Sequence, residues 1–322
     1  MTKKIRTKKN YTRKTACLSA IVAVLALILI GTVVFDPERT ALRNAAFAWI
    51  EPRLLDLADR IEISGSQGST VLSRKNNVWV ISNGGTDYPV KQARVEDFLK
   101  VLSGQELYQV RSNSASAHER LGVVEGRASR IVIRGGAGLP LLDLLIGFAG
   151  AAGREVYLRK AGQNEVRSGE DRFTVYTESP GSSWYDLRLF PDLETDMIQR
   201  VRVAPFRQDE APYALSRNGR SWSFSDAQEP PEASKVESWL RSLADAEAED
   251  FSTSIPQSGA VLSAGSIFLE LGNGDTVTLR LGQDDGGNRR DASVSVSPFV
   301  YSLSEWTVNR LFREASYFMQ EE

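Results

Sequence analysis

Residues 72–82 read LSRKNNVWVIS, and residues 215–225 read LSRNGRSWSFS. At a constant offset of 143, five positions are identical: Leu72/Leu215, Ser73/Ser216, Arg74/Arg217, Trp79/Trp222 and Ser82/Ser225. In each copy a polar turn separates two stretches of strand-like composition. Self-similarity at a fixed spacing decides architecture before any single residue does, so the chain reads as one unit built twice.

The two copies extend in both directions. Before the first, Ile61-Glu62-Ile63 alternates as a short strand, and residues 64–69 form a Gly/Ser turn. After Tyr88-Pro89, the residues Val95, Phe98, Leu99 and Leu102 mark an amphipathic helix that Gly104 can stop. Val236, Trp239, Leu240 and Leu243 repeat those spacings after Pro230-Pro231. Ile131-Val132-Ile133 and residues 141–147 then correspond to Ile267-Phe268-Leu269 and residues 277–282, joined by glycine turns at 135–138 and 272–274. Val175-Tyr176 and Val300-Tyr301 read as closing strands. Both are followed by W-x-x-x-R-L-F, read as a terminal helix: Trp184, Arg188, Leu189 and Phe190, then Trp306, Arg310, Leu311 and Phe312. Ser302 and Glu305 have capping-box spacing, and Val308, Leu311, Phe312 and Ala315 continue an apolar face. The offset falls to 122 at this motif, which places longer loops in the first copy, around 112–119 and 147–169.

The amino terminus has a different character. Lys3, Lys4, Arg6, Lys8, Lys9, Arg13 and Lys14 precede any acid, and residues 16–35, ACLSAIVAVLALILIGTVVF, carry no charge. Twenty residues at about 1.5 Å each span about 30 Å, a bilayer's hydrocarbon thickness. The charge asymmetry predicts residues 1–15 in the cytoplasm and everything past residue 35 outside it. The alternative is a cleaved signal peptide, but Ala46-Phe47-Ala48, the small-x-small candidate, lies more than ten residues past the apolar run. Residues 36–53 read as a juxtamembrane helix through Leu42, Ala45, Ala46, Trp49 and Ile50, closed by Pro52. The expected fold class is therefore α+β: an N-terminal transmembrane helix followed by two tandem repeats of antiparallel sheet with packed helices, residues 54–190 and 191–322.

Composition limits the chemistry. Setting aside the seven basic residues of the tail leaves 32 basic against 41 acidic side chains, a balance that argues against nucleic acid as a partner. His118 is the single histidine and lies in a polar loop, read as exposed. Cys17, the single cysteine, sits inside the apolar run, so neither a Cys/His zinc site nor a thiol nucleophile is available past residue 35. Residues 147–153 resemble a phosphate loop only in glycine content, with no G-K-[S/T] following, and read as a hairpin connection. Residues 284–288 lack the alternating acids of an EF-hand loop and read as a turn. Glu247, Glu249 and Asp250 could supply a general acid and base, but their place at a polar helix end reads as a solvated face. Trp79/Trp222 and Arg74/Arg217 are interface-type residues, yet their duplication reads as fold core. No catalytic, cofactor-binding or metal-ligating residue is assigned.

Taken together, the basic tail, the apolar span, the I-x-I strand at 61–63, the L-x-[R/K]-x(3-4)-W strand at 72–82, the V-x-x-F-L-x-x-L helix at 95–102 and Glu119-Arg120-Leu121-Gly122-Val123 resemble a bacterial family catalogued as a domain of unknown function. The resemblance covers residues 54–190 and extends to the carboxyl terminus through the repeat. It departs at Gly122-Val123-Val124-Glu125, where that family has Gly-Leu followed by Pro. Members of the family it resembles are often encoded beside ABC-type transporters of the kind linked to gliding motility. The resemblance thus implies a non-enzymatic, membrane-anchored extracytoplasmic scaffold or accessory protein, with membrane lipid met by residues 16–35 and ABC transporter subunits or other envelope proteins as partners. The alternative expectation is an extracytoplasmic binding module for a peptide or cell-envelope polymer. The expected location is the bacterial plasma membrane, with the repeats on its extracytoplasmic side.

Overall fold

In a computed structural model, the structure describes Leu25 and residues 46–149, 153–225, 229–252, 262–284 and 288–319. The chain divides into two units, Met1–Ser82 with Gln92–Gly181, and Asn83–Lys91 with Ser182–Glu322.

In the first unit, β1 (Ala46–Phe47) pairs with β6 (Glu106–Leu107) as a two-stranded sheet. Its main sheet is built from β2 (Ala58–Gly65), β3 (Gly68–Lys75), β4 (Val78–Asn83), β7 (Gln109–Ser112), β8 (Ser129–Gly135), β9 (Pro140–Ala149), β10 (Glu155–Lys160) and β11 (Val166–Glu170). These run β4-β3-β2-β8-β9-β10-β11-β7, every neighbouring pair antiparallel. Between β3 and β4, Asn76 and Asn77 take φ of 51° and 65°, the left-handed pair that a tight hairpin requires. The strand β5 (Thr86–Pro89) belongs to the second unit, where Tyr88 packs against Tyr185, Phe251 and Phe299. The helix α2 (Gln92–Ser103) buries Val95, Phe98 and Leu102. Gln92 fixes its start, since its side chain accepts from Trp79 N and donates to Trp79 O at 3.0 and 2.9 Å.

The second unit repeats the plan with β12 (Ile198–Ala204), β13 (Tyr213–Asn218), β14 (Ser221–Phe224), α4 (Ala233–Ala244), β15 (Asp250–Phe251), β16 (Gly265–Leu271), β17 (Thr276–Asp284), β18 (Arg289–Val294), β19 (Val300–Ser304) and α5 (Glu305–Leu311). Its order, β14-β13-β12-β16-β17-β18-β19-β15, is that of the first sheet strand for strand. The duplicated positions are core: Leu72 and Leu215 are fully buried, as are Trp79 and Trp222 apart from a few per cent of their surface. The side chains Val236, Trp239, Leu240 and Leu243 close the second core over Val201, Leu215, Ile267 and Leu279.

Several expectations change. Among the described residues strand outweighs helix, 43% against 22%, in three antiparallel sheets, so the class is mostly β and not α+β. The cause is strand length: Pro140–Ala149 runs unbroken for 10 residues where the sequence suggests short pieces. The expected transmembrane helix over residues 16–35, with Cys17, lies outside the described residues apart from Leu25, and no helix among the described residues is long and apolar enough to cross a membrane. The juxtamembrane helix over 36–53 is replaced, in its described part, by strand β1 and by Trp49 and Ile50, whose N–H groups both donate to Leu102 O at 3.0 and 3.3 Å. Phe47, Trp49 and Tyr108 stack edge to face there, and that packing overrides the helical spacing. Pro52 opens the short helix α1 (Pro52–Leu55) instead of closing one.

Val175-Tyr176 is not a strand but part of α3 (Thr174–Thr177), whose first turn is capped by Asp171 Oδ1 accepting from Phe173 N and Thr174 N. The partner of β19 by strand order is β11, so the helix following β19 answers to α3, not to residues 184–190. Trp184 ends a 3-10 turn over Gly181–Trp184, and the residues after it are extended, because Leu189 N donates to Ala246 O and Ala248 N to Leu187 O, both at 2.9 Å. The cap of α5 is Ser304, accepting from Thr307 N at 3.2 Å, and not Ser302.

Candidate functional site

Alternation puts one set of side chains of the first sheet on each face. Ile131, Ile133, Leu144 and Leu158 point to one core; Arg130, Leu145 and Arg159 form a cross-strand row on the other face. That second face is covered by the connection from β7 to β8, residues 113–128, whose Ala117, Leu121 and Val123 make a small core with Val166 and Tyr157. Two features fix it there. A β-carbon at Gly147 would lie 2.3 Å from Leu121 O, so only glycine allows the connection to come this close, and Phe148 N donates to Leu121 O at 3.2 Å. Arg159, 5% exposed, donates through Nε to Val123 O and through Nη1 to Gln163 O, both at 2.9 Å. A buried charge is tolerated because its donors are satisfied.

The connection leaves a cavity at each of its ends. One, of about 510 Å³, is lined by His118, Glu119, Glu125, Arg159 and Asn164. His118 is half-buried there, its Nε2–H donating to Asn164 O at 3.1 Å, so it holds a loop in place where the sequence suggests free exposure.

The other, of about 580 Å³, has a floor of Ser64, Gly65 and Ser66 from the end of β2 and a wall of residues 126–130, 146–148 and Glu178. The Glu178 carboxylate accepts from Ser66 Oγ and, at 2.9 Å, from Ser129 Oγ. Chiefly the Ser66 bond, with help from Ser129 and against partial burial, holds its pKa below the ordinary carboxylate value. Arg130 is clamped to Asp143 by two parallel bonds, at 2.8 and 2.5 Å, and Arg127 meets Glu119 at 3.2 Å. Phe148, 64% exposed, covers Gly122: a β-carbon there would lie 2.7–2.9 Å from Cγ, Cδ1 and Cδ2 of the ring, and φ is +71°. The site therefore offers an aromatic surface, an ionised acceptor, hydroxyls and two paired guanidiniums.

The other sequence candidates have structural roles. Glu249 accepts from Ser304 N at 2.7 Å and Thr307 Oγ1 at 2.8 Å, holding the start of α5; Glu247 pairs with Lys91 at 3.1 Å, and Asp250 accepts from the adjacent Phe251 N at 2.8 Å. They lie beyond the end of α4, not on its face. Arg217 donates to Ile198 O and Thr195 O, at 2.9 and 3.1 Å, and stacks on Trp222. Arg74 donates through Nη1 to Asp56 O at 3.4 Å. Residues 147–149 end β9, which pairs antiparallel with β10, and residues 150–152 lie outside the described residues; residues 284 and 288 lie at the ends of the antiparallel pair β17 and β18, with 285–287 also outside the described residues. No group of three His, Cys, Asp or Glu placed to hold a metal occurs among the described residues. A cavity of about 320 Å³ in the second unit, lined by Pro212, Tyr213, Phe224 and Met319, is apolar. Ser66, Ser129, Phe148 and Glu178 escape sequence reasoning because they come from four separate places; the one local signal is a phenylalanine set within a glycine-rich strand end.

Residues 79–262 match a family described as a domain of unknown function (DUF4340). No curated protein matches the chain.

Proposed function

The chain belongs to the family described as a domain of unknown function (DUF4340), and from that membership we propose a non-enzymatic scaffold or accessory protein on the extracytoplasmic side of a bacterial plasma membrane, auxiliary to an ABC-type transport system of the gliding-motility kind. The carrying observation is that the same eight-strand order is built twice around the same buried Leu and Trp positions. Duplication of this sort multiplies surface without adding reactive groups. The uncharged run at 16–35 behind a basic tail supports placement at the membrane. Purification of the full chain from mildly solubilised membranes is expected to bring down transporter subunits; recovery free of them at low detergent overturns the assignment.

A second reading, a binding module for a peptide or envelope polymer, is favoured by the polar cleft beside Phe148. A ligand bound only by the folded protein must raise its Tm. Soluble cell-wall digests are expected to do so for the intact chain, and an unchanged Tm at saturating digest removes this reading.

A further inference from the structure

The cleft of Ser66, Ser129, Phe148 and Glu178 has a composition that selects among ligands. Its charges are arranged against ions of either sign. Arg127 and Arg130 oppose a cation and Glu178 opposes an anion, while each arginine already has its own carboxylate. Its hydrogen-bonding groups are mixed. A carboxylate offers about four lone-pair positions, of which Ser66 and Ser129 occupy two, leaving Glu178 able to accept from further hydroxyls, while the serines and Arg130 can exchange bonds with the same ligand. The apolar contribution is one ring face, exposed and backed by the Gly122 backbone, the form that packs against the C–H face of a sugar ring.

A peptide is a poorer match. Extended peptides are held by adding a strand to an open sheet edge, and the strands at this cleft have none to offer: β2 is paired by β3 and β8, β8 by β2 and β9, and β9 by β8 and β10. No open strand edge is available to a peptide here. The volume, about 580 Å³, falls within the range of small-ligand clefts.

We propose that this cleft binds a neutral oligosaccharide, with Phe148 as the stacking surface and Glu178, Ser66, Ser129 and Arg130 as partners of its hydroxyls. The proposal rests on the binding-module reading and narrows it to one ligand class. The test is calorimetric titration of the full chain with chitohexaose, cellohexaose and maltohexaose, beside a neutral pentapeptide of Gly, Ala and Gln. At least one hexasaccharide is expected to bind, and Phe148→Ala and Glu178→Gln are each expected to weaken it about tenfold. Trp306→Ala, which removes an exposed aromatic of the second unit, is expected to leave binding unchanged. Because Phe148 is largely exposed, an unaltered Tm of its variant separates lost binding from lost folding. Binding of the pentapeptide and of no sugar overturns the ligand class while the binding-module reading survives. Sugar binding indifferent to both cleft variants overturns the site. Absence of binding by every probe at about 5 mM overturns the proposal and the reading under it together.

Discussion

The two units share a strand order but differ in one row of side chains. Across β8, β9 and β10 of the first, the row is Arg130, Leu145 and Arg159; across β16, β17 and β18 of the second, it is Ser266, Arg280 and Ser293. Leu145 is fully buried and Arg159 nearly so, under residues 113–128, whereas Arg280 is exposed. One copy of the fold has thus used its second face to dock a connection, and both polar cavities of the first unit lie at that connection's ends. The lesson is that the duplicated positions build the sheet, while the positions that diverged between copies build the site.

Exchanging the central residue of the row breaks the comparison most sharply. Leu145→Arg places a charge at a fully buried position of the row, and is expected to cost about 4 kcal/mol. The reverse change, Arg280→Leu, alters an exposed position and is expected to move stability by less than about 0.5 kcal/mol. Urea unfolding of the two variants checks this. Equal losses in the two would mean that the second face of the first unit is not a core.

The glycines beside the row give a smaller effect in the same direction. A β-carbon at Gly147 would meet the backbone Leu121 O at 2.3 Å, while at the matching Gly282 it would meet the side-chain tip of Leu262 at 3.0 Å and the backbone Asp291 O at 3.2 Å. The first approach is too close to be relieved without displacing the connection, whereas the second needs its neighbours to give by only a few tenths of an ångström. Gly147→Ala is therefore expected to cost about 2 kcal/mol, and Gly282→Ala under about 1 kcal/mol. Hydrogen exchange sharpens the result, since only the first variant should lose protection at Phe148 N, the amide that ties the connection to β9.

The repeated half of this comparison is legible in the sequence and the divergent half is not. The 72–82 and 215–225 copies, the helices at Val95 and Val236 and the paired glycine turns follow from period and spacing, which local chemistry sets. Strand order also makes plain why W-x-x-x-R-L-F misleads: Leu187 and Leu189 are drawn into extended pairing with residues 246–248, a contact of long sequence separation that no local pattern records. Val175-Tyr176 was open to a better reading, because Asp171 three residues before Thr174 is a capping signal. The cleft is the extreme case. Ser66 and Glu178 are 112 residues apart, and their bond exists only once β2, β8 and α3 are assembled.

The smallest expected effect isolates the cleft from the rest of the molecule. The folded-state pKa of Glu178 is depressed, first by Ser66 and then by Ser129. Protonating it therefore costs more in the folded chain than in the unfolded one. Its stabilisation is complete above the unfolded carboxylate value of 4.5 and is lost as pH falls through the lower folded value. Glu178→Gln removes the titration and keeps an oxygen acceptor for the two serines. The stability difference between the intact chain and this variant is thus expected to be flat above about pH 5.5 and to shrink toward acid. Because Glu178 is only half-buried, the change is expected to remain below about 1 kcal/mol, so it has to be read as a difference in urea midpoint between matched samples. A difference independent of pH would show that Ser66 and Ser129 do not hold the carboxylate ionised. That would remove the ionised acceptor on which the proposed oligosaccharide recognition depends.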